Sequence, residues 1–112
     1  PMVCYLFVKV EESDNNLEEE KIINWTIKEG WYPVDGHSDY WYREVNKNAS
    51  ADQVFYVLSG GTNGAVTVNT KVEKDLTVTP KLTFTAAAVQ KADIDNVDDA
   101  WAALPNAFKP TP

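Results

Sequence analysis

The sequence has one cysteine, one histidine and fewer bases than acids, and each shortage removes a class of function. A lone Cys4 cannot close an internal disulfide, and it rules out CxxC and Cys2His2-type zinc sites. It lies in an apolar run, where a free thiol reads as a small buried hydrophobe. His37 is the only imidazole and no HExxH pattern occurs, so a catalytic zinc lacks its usual ligands. A Ser or Cys triad would also need His37, which sits in the turn DGHSD with nothing to single it out. Ser59 precedes Gly60-Gly61, but the GxSxG elbow is missing. Ten Lys and Arg against 17 Asp and Glu leave a net charge of −7, which disfavours nucleic acid and anionic membranes. No apolar run is long enough for a spanning helix, and there is no signal-peptide pattern. The chain begins at Pro1, and the expectation is that a leader has been removed or the chain trimmed.

What is present is apolar and aromatic. Hydrophobic residues make up 44% and aromatics 12%, a globular composition. At 112 residues the expectation is one domain over 1–112, with a solvated loop at 11–20 and a C-terminal tail at 105–112. Met2 to Val10, MVCYLFVKV, is almost continuously apolar, as in a strand covered on both faces. Glu11 to Glu20, EESDNNLEEE, is polar without periodicity and reads as the loop.

Further strands are expected at Ile23 to Lys28, in extended form at Trp31 to Val34, and at Tyr40 to Val45, Gln53 to Leu58 and Ala65 to Thr70. Asp35-Gly36 and Ser59 to Gly64 supply turn chemistry between them. Leu76 to Thr79 leads into a long strand, Pro80 to Gln90. There Leu82, Phe84, Ala86 and Ala88 share one face, while Lys81, Thr83 and Thr85 share the other. The small alanines call for something large against them, and the following helix is the expected partner. In that helix Val97, Ala100, Trp101 and Leu104 form one face. Asn96 reads as its N-cap, Asp98 and Asp99 suit its first turn, and Pro105 ends it. The fold class that follows is all-β, an antiparallel β-sandwich or jelly-roll-like domain with one short C-terminal helix.

The order of CYLFVKV, GWYPV, YWYREV, VFYVLSGG, LTFTAAAVQ and AWAAL resembles the TasA/camelysin-type exported proteins of Gram-positive bacteria. Members end in a strand of the form LTFTAYAVQ and a helix containing AW; here Ala87 stands where Tyr is common. In the family a signal segment and further strands precede the position of Met2. The resemblance spans Met2 to Leu104. It implies a jelly-roll-like fold, secretion or cell-surface localisation and, in some members, fibre formation in biofilm matrix.

Asp93, Asp95, Asp98 and Asp99 invite calcium, but the EF-hand pattern fails for want of a central Gly and a terminal Glu. The many acids offer numerous carboxylate pairs, and nothing in their spacing selects one for glycoside cleavage. Asn24-Trp25-Thr26 and Asn48-Ala49-Ser50 match the glycosylation triplet by accident. The expectation is therefore a non-enzymatic module with no cofactor and no metal.

Two surfaces remain. Trp31, Tyr32, Tyr40, Trp41 and Tyr42 crowd neighbouring strands and form a possible interaction face for protein or cell-wall polysaccharide. The rival reading is cross-strand pairing that only stabilises the sheet. Val3, Tyr5, Phe7 and Lys9 lie on a strand too apolar for an open edge, which predicts pairing with another chain, such as a second copy, into a homo-oligomer or fibre. The alternative is that later strands cover it on both sides.

Overall fold

The computed structural model describes residues 2–17, 20–47, 54–69, 79–90 and 96–109. The fold is predominantly β-sheet with one C-terminal helix. Its centre is β1, Met2–Ser13. The hairpin strands β2, Asn16–Leu17, and β3, Glu20–Lys21, follow it. Then come β4, Ile23–Asn24; β5, Tyr32–Pro33; β6, Tyr40–Lys47; and β7, Thr67–Val68. Last are β8, Lys81–Gln90, and α1, Val97–Ala103. The main sheet has the order β5-β6-β1-β8, and β2-β3 and β4-β7 form two small sheets.

Strand β1 is interior, because strands later in sequence bond to both of its sides. Antiparallel to β6 it pairs Tyr5 with Glu44, Phe7 with Tyr42 and Lys9 with Tyr40. Antiparallel to β8 it pairs Tyr5 with Val89, Phe7 with Ala87 and Lys9 with Thr85. The expected pairing edge at Tyr5, Phe7 and Lys9 is therefore corrected: their backbone ladder is already taken. Val3 pairs with Asn46 on the β6 side. The strand also outruns its expected length, since Glu11, Glu12 and Ser13 pair with Thr83, Leu82 and Lys81 instead of opening a loop.

The alternation of β1 fills two cores, one on each face of the sheet. Tyr5 and fully buried Phe7 join Val34, Tyr40, Ala100, Leu104 and Phe108 on the helix side. Val8 and Val10 join Trp31 on the other side, with Trp25, Ile27, Trp41, Phe55 and Val57 packed against them. A Phe side chain taken out of water contributes about 1.5–3 kcal/mol, so these two faces carry much of the fold's stability.

Segments 23–31 and 54–58 cover the second face as an irregular layer, not as the two full strands expected. Ile27 bridges to Leu58, Lys28 N–H donates to the Val57 carbonyl at 2.7 Å, and the Trp31 indole N–H donates to the Tyr56 carbonyl at 3.0 Å. The strand expected at Ala65 to Thr70 reduces to Thr67 and Val68.

Helix α1 has the predicted cap: Asn96 Oδ1 accepts from the Asp99 N–H at 2.9 Å. It packs through Val97, Ala100, Trp101 and Leu104 onto the Ala87 and Val89 side of β8. That corrects the expected partner face, Leu82, Phe84, Ala86 and Ala88. Phe84 is 47% exposed, and Ala86 and Ala88 are exposed with it. The tail is also more than a tail: Phe108 is buried, and its carbonyl accepts from the Tyr40 hydroxyl at 2.8 Å. The expectations for Asn48-Ala49-Ser50, Leu76 to Val78, Asp93 and Asp95 lie outside the described residues.

Candidate functional site

The outer edge of β8 is the longest strand edge in the main sheet. Its inner side bonds to β1 over Cys4 to Ser13, and among the described residues no strand pairs with its outer side. The other end of the sheet is closed by β5, a strand of two residues. Edge strands usually carry charges, prolines or bulges that discourage pairing with another chain. The strand KLTFTAAAVQ carries one charge, Lys81 at its start, and no proline. On the face away from α1, exposed Phe84 lines a shallow cavity of about 420 Å³ with Tyr56, Leu58 and Val66.

The aromatic residues expected to form one face are split between two. Tyr40 and Tyr42 lie on the helix side, where Tyr40 is buried and Tyr42 half-buried. Trp31 is buried on the opposite side, with half-buried Trp41 packed on the same cluster. Tyr32 alone is largely in water, 60% exposed, with its ring 5.9 Å from that of Tyr42. The alternation of a strand separates neighbours in YWYREV, so crowding in sequence does not become a row in space.

A groove of about 650 Å³ opens beside Tyr32 and Tyr42, lined also by Gly30, Arg43, Glu44 and Asn96. The Arg43 guanidinium carbon lies 4.1 Å from the Phe55 ring centroid and 5.1 Å from that of Trp31. Its Nε is buried and makes no hydrogen bond among the described residues. Gly30, at φ +106°, sits so close that an added Cβ would come within 3.0 Å of Arg43 Nη2. Composition alone gave no hint of this groove, because its residues come from β1 (Tyr5), from 30–32, from β6 and from the start of α1.

The charged groups with resolved perturbations lie elsewhere. Burial alone would raise the Glu12 carboxyl, but hydrogen bonds from Lys21, Trp25 and Asn15 outweigh it and hold it below the usual range. Lys21 Nζ lies 2.5 Å from Glu12, and the Trp25 indole N–H donates to it at 2.7 Å. Its hydrogen bond with Tyr40, and then Glu11, hold the Lys9 ammonium above its ordinary value against partial desolvation. His37, in a turn where the sequence singled out nothing, is half-buried and stacks on Trp101. Cys4 is half-buried instead of fully enclosed.

Among the described residues no group of three or more His, Cys, Asp or Glu is placed to hold a metal ion, and no helix is long and apolar enough to cross a membrane. No protein-family model matches the chain, and no curated protein or solved structure is similar to it.

Proposed function

We propose that the chain is a non-enzymatic, exported cell-surface or biofilm-matrix module of sandwich-like β architecture, and that it associates with a second copy of itself along β8. The observation that carries this reading is the outer edge of β8, ten residues long with a single charge and, among the described residues, no strand paired to it. An edge of that length presents a row of unpaired N–H and C=O groups, which a neighbouring strand satisfies by β-augmentation. Exposed Phe84, beside exposed Ala86 and Ala88, adds apolar area that a partner would cover. The resemblance to TasA/camelysin-type proteins, carried by the order of the strand motifs and the closing LTFTAAAVQ and AWAAL, supports export and a structural role. In this reading the pairing surface belongs to β8 and not to β1.

Light scattering across a concentration series tests the association. The mean mass of the wild type is expected to rise with concentration. A double variant, Ala86→Lys with Ala88→Lys, places charge on exposed positions of the edge strand and is expected to hold the protein monomeric. A wild type that stays a monodisperse monomer up to roughly millimolar concentration would overturn the reading. Export is tested separately by the reading frame upstream of Pro1, which is expected to encode a signal segment.

A further inference from the structure

We infer that two copies pair antiparallel along β8, about a two-fold axis at Ala86, into a closed dimer and not a growing fibre. This rests on the association along β8 proposed above, and adds its geometry and its limit. The direction in which each backbone group of β8 points decides it. Val10 N–H donates to the Asp39 carbonyl at 2.9 Å, so the backbone of Val10 faces β6 and that of its neighbours Lys9 and Glu11 faces β8. Their partners Thr85 and Thr83 therefore turn their N–H and C=O inwards, and the same alternation turns Lys81, Ala87 and Val89 inwards. The backbone groups of Leu82, Phe84, Ala86, Ala88 and Gln90 point outwards, where among the described residues no strand meets them.

Among antiparallel registers, the one that sets Ala86 against the partner's Ala86 uses all of those groups. It places Leu82 against the partner's Gln90 and Phe84 against the partner's Ala88, and each such pair exchanges two hydrogen bonds. Moving the axis to Thr85 or Ala87 leaves Gln90 or Leu82 of each copy without a strand residue opposite. In the Ala86 register exposed Phe84 lies beside the small side chain of alanine, so bulk meets space on the face away from α1. Lys81, the only charge on the strand, falls outside the ladder. Helix α1 leaves this edge open, because it leans over β1 and β6, where Trp101 meets Phe7 and Tyr40.

Growth stops at two for a reason of symmetry. An isologous contact uses the same edge on both copies, so the dimer has no second β8 edge to offer. Its sheet runs from β5 through β6 and β1 to β8, then back through the partner, and ends at β5 on both sides. There Pro33 lacks an N–H, and β5 pairs only with Trp41 and Tyr42. Beyond those two residues β6 carries Arg43, Glu44 and Lys47, charges of the kind that discourage a further strand.

Two measurements test the dimer. In sedimentation equilibrium the mean mass of the wild type is expected to level off at twice the chain mass of 12.5 kDa. Pulsed EPR reads the register, with one nitroxide per chain at exposed Lys81→Cys or Thr83→Cys, and Cys4→Ala to remove the native thiol. An axis at Ala86 separates the two copies of position 81 by about 34 Å and those of position 83 by about 20 Å, at roughly 3.4 Å per residue. Parallel in-register pairing instead puts both pairs at about 5 Å. A mass that keeps rising past two chains, or equal separations at the two positions, would overturn the closed antiparallel dimer and leave association along β8 standing. A mass that stays at one chain at every concentration would overturn both. The sedimentation arm needs no substitution, so it decides the stoichiometry even where a labelled variant misfolds.

Discussion

The imidazole of His37 lies against the indole of Trp101, with ring centroids 4.0 Å apart and planes 17° from parallel. The two residues come from distant parts of the chain. His37 follows Asp35-Gly36 in the turn that joins β5 to β6, where its N–H donates to the Val34 carbonyl at 3.1 Å. Trp101 belongs to α1 and also meets Tyr40 edge-on at 4.8 Å and Phe7 at 6.1 Å. A seven-residue helix does not persist alone in water, so this cluster, with Ala100 and Leu104, holds it on the sheet.

Trp101→Ala is expected to lower stability by about 2–3 kcal/mol, towards the small end for emptying a large aromatic site because the indole is only half-buried. Phe84→Ala is expected to cost less than about 1 kcal/mol, since that ring is already largely in water. Denaturant midpoints measured side by side check the pair. Equal losses would mean that α1 is docked differently.

Asn15 acts as a side-chain substitute for a strand neighbour. It is buried, its Nδ2 donates to the Ile23 carbonyl at 3.0 Å, and its Oδ1 accepts from the Ile23 N–H at 2.7 Å. Asn15→Ala leaves both backbone groups of Ile23 without these partners, at an expected cost of about 1–3 kcal/mol. Thermal unfolding measures it, and a melting temperature equal to that of the wild type would show that the contact carries no stability.

Glu12 predicts an acid-side sensitivity. Burial alone would raise its carboxyl, but the bonds from Lys21, Trp25 and Asn15 leave the folded value below the ordinary 4.5. A depressed folded value stabilises the fold at pH above the unfolded value, and that contribution is lost as pH falls through the folded one. Glu12→Gln is therefore expected to be less stable than the wild type near neutrality and to converge on it below pH 4.5. Stability measured from pH 2 to 7, roughly the range in which carboxylates titrate, checks the sign. A constant gap across that range would contradict it.

Much of the architecture was legible in the sequence, and the misses share a cause. The apolar run Met2 to Val10 announced an interior strand, and Asn96, Asp98, Asp99 and Pro105 announced the helix and its ends. Those signals are local: hydrophobic period, cap chemistry and a missing N–H. Which face of β8 receives the helix is not local. It depends on Ala87 and Val89 standing beside Tyr5 and Phe7 across the sheet, a consequence of register that the alternation of β8 alone does not encode. The loop expected at 11–20 failed for a related reason, because Glu11 and Glu12 pair with β8 despite their polarity. The groove was invisible because four separate segments build it.

Hydrogen exchange along β8 at several protein concentrations tests the central claim most directly. Amides of β1 from Cys4 to Lys9, bonded within a sheet that continues on both sides, are expected to stay protected at every concentration. Alternate amides of Lys81 to Gln90, those on the outer side of the strand, are expected to exchange fast in dilute solution and to gain protection as mass rises. Outer β8 amides that remain fast in the associated protein would contradict pairing along this edge, as would amides already protected in a dilute monomer.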